Sequence, residues 1–134
     1  MNEETRVNEI DRESLVKDYL DAMEKRDLER CMGFYTNDAT LYFGPRTLGF
    51  GSFSGYEEIK QWHQERFEAG MVVTEVEEIE VESDTVTVHA KATSPRLKAV
   101  NIDHFRGYAK FIFEGHGKFK EVRLGLRTGW RFHL

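Results

Sequence analysis

The sequence predicts an α+β fold in which three N-terminal helices pack on one face of a strongly curved, mostly antiparallel β-sheet to make a cone-shaped domain. Three observations carry this. Apolar residues recur at spacings of three and four up to about residue 68, and at a spacing of two after Gly70. Turn signals then divide the second half into strands and hairpins. At 134 residues, against about 100 to 200 residues per domain, the chain reads as one domain over 1–134, with 1–12 as a flexible N-terminal segment.

From about Ser14 to Lys25, the residues Leu15, Val16, Tyr19, Ala22 and Met23 line one side of a helix, and Lys17, Asp18, Asp21 and Glu24 line the other. Asp27 is placed to cap a second helix with Leu28, Cys31, Met32 and Tyr35 inward, ending near Thr36-Asn37-Asp38. Ala39 to Phe43 reads as a strand stopped by Gly44-Pro45-Arg46. Gly44 to Gly55 holds four glycines together with Leu48, Phe50 and Phe53, so this loop is expected to cover something apolar. Ser54 and Glu57 form a capping-box pattern, and Tyr56, Ile59, His63 and Phe67 make the stripe of a third helix, Gly55 to Glu68, ended by Gly70.

Val72 to Glu82 and Thr85 to Thr93 read as a hairpin about Ser83-Asp84. In the second of these strands Val86, Val88, Ala90 and Ala92 share one face, and Thr87, His89 and Lys91 the other. Ser94-Pro95 starts a helical turn through Asn101. Gly107 to Phe113 and Lys118 to Arg127 make the closing hairpin. The acidic run Glu75, Glu77, Glu78, Glu80 and Glu82 is read as a solvated sheet edge that deters aggregation.

Composition removes several classes of function. Nineteen basic against 24 acidic residues give a net charge of −5, which disfavours nucleic acid as a partner. No run approaches the roughly 18 apolar residues of a membrane helix, and the acidic start does not resemble a signal peptide, so no membrane is expected and the location is read as cytoplasmic. The single cysteine, Cys31, excludes an intramolecular disulfide and a Cys-rich zinc site. No two histidines share a metal-binding spacing and no glycine-rich phosphate loop precedes a helix. Neither a metal nor any other cofactor is expected.

The order of landmarks resembles the nuclear transport factor 2-like superfamily, and within it the SnoaL-like group. The resemblance rests on Asp27-Leu28, the run Phe34 to Leu41, the helix start Gly55-Tyr56-Glu57-Glu58-Ile59 and the hairpin Phe111 to Val122. It implies the fold above and leaves the chemistry open. Ketosteroid isomerases of this superfamily use a carboxylate base and an oxyanion hole of a tyrosine and a protonated aspartic acid, a system that also serves as a general example of pKa tuning. By this resemblance Tyr19 matches the tyrosine, but Phe43 stands at the base position and Ala109 at that of the acid. Ketosteroid isomerase activity is therefore not expected. Asp103, in Ile102-Asp103-His104-Phe105-Arg106, offers a competing local match that the hairpin register disfavours. The Arg-x-Asp of the family's epoxide hydrolases reads His89-Ala90-Lys91.

What remains is an apolar pocket for a small hydrophobic or aromatic molecule, lined by Tyr19, Phe34, Phe43, Trp62, His63 and Phe111. An alternative is a cofactor-free cyclase, isomerase or dehydratase with His63 or His89 as acid-base and Tyr19 as hydrogen-bond donor. For His63 and Tyr19 the plainer reading is a core side chain with its hydrogen bond made; for His89 it is a cross-strand surface residue. A third reading is an interaction module working through its sheet face. A homodimer packed through the outer face of the sheet is also expected, because Val122, Leu124 and Leu126, together with Phe111 and Phe113, give more apolar surface than one cone holds. The tail Trp130, Phe132 and Leu134 adds to it.

Overall fold

The structure of the chain, a computed structural model, describes residues 2–43, 51–115 and 117–126, with residues 2–11 described by their backbone alone. Helix α1 spans Asn2–Glu24. Val16, Tyr19 and Ala22 form its buried stripe, while Glu13–Lys17 and Asp21–Lys25 pair along its solvent side at 2.9 and 3.0 Å. The Asp27 carboxylate accepts the Arg30 N–H at 3.2 Å and so caps α2, Leu28–Met32.

Helix α2 is shorter than its sequence pattern suggested. Tyr35 already belongs to strand β1, Tyr35–Phe43, where it pairs with Phe119, and the Phe119 N–H donates to the Phe34 carbonyl at 2.8 Å. A distant strand thus captures backbone that local periodicity assigned to a helix. A three-residue strand, β2 (Ser52–Ser54), lies in the stretch read as loop. Leu48 and Phe50 lie outside the described residues, as does the tail Trp130, Phe132 and Leu134; Phe53 is half-buried.

Helix α3 spans Tyr56–Glu68 and is entered through Gly55 at φ +87°, a conformation that favours glycine. The acidic cap is one residue later than the capping-box pattern suggested, since it is Glu58 that accepts the Ser54 N–H, at 2.8 Å. The hairpin β3 (Val72–Glu82) and β4 (Thr85–Thr93) has the expected limits. Ser94 caps α4, Pro95–Ala99, which stops short of Asn101. Strands β5 (Phe105–Glu114) and β6 (Lys118–Leu126) close the chain's fold.

The six strands form one sheet in the order β2-β1-β6-β5-β4-β3. This corrects the expected architecture in two respects. Only α1 and α2 precede the first strand, and α3 follows β1 and β2. The sheet is mostly antiparallel, as expected, with β1 and β6 parallel, but it is open where a strongly curved, closed cone was expected. Among the described residues no ladder joins its two edges, β2 and β3, of which the first is three residues long and the second is bulged and rich in glutamate. Helix α1 packs on β3 and β4, and α3 on β1 and β2.

Register also settles which residues share a face. Phe111 pairs with Val122 and Ala109 with Leu124, while a bulge after Ile112 brings Phe119 opposite Phe113. Phe111, Phe113, Phe119 and Val122 are therefore all buried on the helix-covered face. The two apolar rows that motivated a partner subunit on the outer face point to the same, inner side. These rows therefore supply no apolar surface to the outer face, where a partner subunit was expected to pack. The outer parity of the central strands carries Thr87, His89, Lys110, Tyr108, Glu121 and Arg123.

Arg12 fixes α1 across the sheet's lower end. Its guanidinium donates to the Ser83 carbonyl at 2.5 Å and the Gly115 carbonyl at 3.0 Å, one in each hairpin turn, and lies 5.9 Å from the Phe113 ring centre.

Candidate functional site

Periodicity placed Tyr19 and His63 on the inward faces of α1 and α3, and the structure brings them together. Both are buried, His63 completely. His63 Nδ1 lies 2.8 Å from the Ile59 carbonyl, which can only accept, so Nδ1 carries the proton. In the neutral ring Nε2 is then an acceptor, and the Tyr19 hydroxyl, 2.6 Å away, donates to it. Tyr19 has a single proton, so its contact with Tyr35, at 2.7 Å, is one in which Tyr35 donates. The chain runs Tyr35 to Tyr19 to His63 to the Ile59 carbonyl.

Burial keeps every member uncharged. It lowers the His63 pKa to about 4, against which the Ile59 bond works. Burial also pushes the Tyr19 phenol well up, reinforced by the neighbouring Tyr35, and raises Tyr35 above its ordinary value. The rings around the chain are aromatic. Tyr19 meets Phe34, Phe111 and Phe119 edge-on at 5.6, 5.6 and 5.2 Å between centres. Trp62 lies 5.0 Å from His63 and 6.4 Å from Phe43. The six side chains expected at a ligand site therefore form one continuous group. Tyr35 and Phe119 belong to it and were not among them; the alternation Phe111, Phe113 resumed by Phe119 beyond the hairpin turn was the available signal.

His89 is not part of this group. It lies on the outer parity of β4 with Nε2 2.6 Å from Glu80. Asp103 is likewise remote, its carboxylate exposed and held by His104 at 3.0 Å. Its pKa is lowered chiefly by that bond.

Beyond the aromatic group the inner face changes character. Along β4 the inward residues run Val86, Val88, Ala90, Ala92, from large to small. Opposite Val88 and Ala90 on β5 stand Ala109 and Gly107. At Gly107 a side chain is excluded, because a Cβ would come 2.8 Å from the Gly125 carbonyl oxygen. These small residues make a low apolar floor. Val73 and Val76 border it on β3, and Leu124 and Leu126 on β6. Val73, Val76 and Leu126 remain 47%, 41% and 54% exposed. Leu124 lies between Phe43 and Ala109 in the register, so the two positions where the resemblance would place a base and an acid flank one leucine and are both apolar.

Among the described residues no group of three or more His, Cys, Asp or Glu is arranged to hold a metal, and no helix is long and apolar enough to cross a membrane.

Comparison with known proteins bears on the whole arrangement. No curated protein matches the chain. Solved structures of the same fold include a putative ketosteroid isomerase from Kribbella flavida, with 15% identity, a TM-score of 0.70, and coverage of 90% of this chain and 81% of that one. A putative polyketide cyclase from Sinorhizobium meliloti has 19% identity, a TM-score of 0.69, and coverage of 83% and 93%. The epoxide hydrolase/cyclase-like enzyme SalBIII, of pyran ring formation in salinomycin, has 16% identity, a TM-score of 0.72, and coverage of 87% and 91%. At these identities the likeness is one of fold. The family model for the SnoaL-like domain matches residues 16–122, from the buried stripe of α1 to the middle of β6, and the chain belongs to that family.

Proposed function

We propose that this domain binds a small apolar or aromatic molecule on the inner face of the sheet, over the floor of Ala90, Gly107 and Ala109. The aromatic group of Tyr19, Phe34, Phe43, Trp62, His63 and Phe111 serves as its back wall. The observation that carries the reading is the drop in side-chain size along the inward row of β4 and its neighbours on β5, bordered by valines and a leucine that remain open. A single family domain that leaves such a face uncovered has apolar surface available for a ligand. The structures of the same fold described above, an isomerase, a cyclase and an epoxide hydrolase/cyclase-like enzyme by name, support a small organic molecule as the ligand class.

Binding fits the geometry better than turnover. The Tyr19 hydroxyl already donates its hydrogen bond to His63 Nε2, and His63 Nδ1–H donates to the Ile59 carbonyl. Neither atom is free to act on a ligand without breaking a buried bond. The floor itself offers only hydrocarbon and backbone.

A ligand covering roughly 150 to 200 Å² of apolar surface at about 25 cal/mol per Å² gains about 4 to 5 kcal/mol before ordering costs. A simple apolar probe should therefore bind near millimolar. The test is calorimetric titration of 2-naphthamide into the wild type and into Ala90→Leu and Ala109→Leu, which raise the floor. Saturable binding that both substitutions weaken at least fivefold is the expected result. Undiminished binding in both variants, each folded by circular dichroism, would overturn the site.

A further inference from the structure

Four described arginines are half-buried: Arg12, Arg30, Arg66 and Arg106. Three are engaged. Arg12 donates to two turn carbonyls, Arg30 pairs with Asp21 at 3.0 Å and Arg106 with Glu77 at 3.2 Å. Arg66 is different. Its guanidinium carbon lies 5.7 Å from the centre of the Trp62 ring, and its Nε is closed to solvent with no hydrogen-bond partner. Among the described residues no carboxylate pairs with it. An unpaired, partly desolvated cation held only by stacking is costly to keep unless an anion meets it.

Its position says where that anion would come from. Arg66 is in the last turn of α3, and its carbonyl accepts the Met71 N–H at 3.2 Å, just before β3 begins at Val72. The following Gly70 lies against Pro95, at the far end of β4. The C-terminal turn of α3 is thus at the same end of the sheet as Val73, Ala92 and the open part of the floor. Trp62, on which Arg66 rests, leads back through Phe43 to Leu124.

We infer that Arg66 is the anion anchor of the inner-face site, and that the ligand is an apolar body carrying a carboxylate. The inference rests on the site proposed above. The planar fork of the guanidinium suits two carboxylate oxygens, and its stacking on Trp62 limits its rotation before binding. The apolar part of the ligand then lies over Ala90 and Ala109, which offer nothing to a charge.

The experiment compares 2-naphthoate with 2-naphthamide, equal in shape and different in charge, by calorimetry at pH 7.5 on wild type, Arg66→Gln and Arg66→Lys. The expected result is that wild type binds the acid about tenfold more tightly than the amide, the size of one charge-assisted contact. Arg66→Gln should bring the acid down to the amide and leave the amide unchanged, while Arg66→Lys keeps part of the preference. Equal binding of acid and amide to wild type would overturn the anchor and leave the floor standing. So would an undiminished preference in Arg66→Gln. If neither probe binds wild type, the floor falls and the anchor with it.

Discussion

His63 makes the stability of this fold pH-dependent in a direction that the structure determines. Folded, the ring is neutral with its pKa near 4; unfolded, it returns to about 6.5. Below pH 6.5 the unfolded chain takes up a proton that the folded chain refuses. The stabilisation is thus complete above 6.5 and is lost as pH falls from 6.5 to about 4, at about 1.4 kcal/mol per pH unit, or about 3 kcal/mol across the window. Against a typical total of about 5 to 15 kcal/mol this is a large fraction. Urea unfolding followed by circular dichroism at pH 7.5, 6.0, 5.0 and 4.5 reads it directly. Carboxylates also titrate toward the bottom of that range, so the comparison is with His63→Gln, in which they are all retained. The wild type should lose about 2 kcal/mol more than the variant between pH 7.5 and 5.0. Parallel pH profiles for the two proteins would show that the folded ring accepts its proton as easily as the unfolded one, and would refute both the neutral assignment and the hydrogen-bond direction built on it.

The direction of the chain makes Tyr19 and Tyr35 unequal. Tyr19→Phe strands both the His63 Nε2 acceptor and the Tyr35 donor and should cost about 3 kcal/mol, whereas Tyr35→Phe removes only the last donor and should cost about 1; equal losses in urea unfolding would reverse the chain. Arg12→Ala releases two turn carbonyls and the Phe113 ring, so about 2 kcal/mol of stability should go, with hydrogen exchange rising first near Ser83 and Gly115. At Gly125 a Cβ would stand 2.8 Å from the Tyr108 ring. Gly125→Ala should therefore destabilise by about 1 to 3 kcal/mol, and adding Tyr108→Ala should recover part of the loss; additive losses would place the strain elsewhere.

How far the sequence could be read depended on the range of the interaction that decides each element. The hairpin limits at Val72, Glu82, Thr85 and Thr93 were legible because alternation and a two-residue turn are local. The meeting of Tyr19 with His63 was legible as two inward stripes. Its bond pattern was not, since the tautomer is imposed by the Ile59 carbonyl one turn away, and the third member, Tyr35, continues the periodicity of α2 but is taken into β1 by its pairing with Phe119. The parallel pairing of β1 with β6 left no local mark, and neither did the bulge after Ile112. The rows Val122, Leu124, Leu126 and Phe111, Phe113 were each legible as a face, but that the two rows stand opposite one another on the same side follows only from the register between their strands. The row Val86, Val88, Ala90, Ala92 was visible as a face; its fall in volume becomes meaningful only when Gly107 and Ala109 are known to stand beside it.

The two halves of the inner face divide the demands of folding and binding between them. Under α1 and α3, polar atoms are buried but complete one another, so that part of the core is closed in hydrogen bonding as well as in packing. Beyond Val88 the side chains shrink and polar groups give out, so whatever settles there gains by contact and desolvation and by little else. A surface of that kind selects poorly among apolar bodies, because a methylene more or less changes affinity by only about 1 to 3 kcal/mol. Discrimination then has to come from the margin, where a charge can be matched or left unmatched, and Arg66 on Trp62 is the half-buried cation placed there to supply it. The consequence for ligand choice is a division of roles: the floor sets the size of the apolar part, and the rim decides whether an acid is preferred to its neutral analogue.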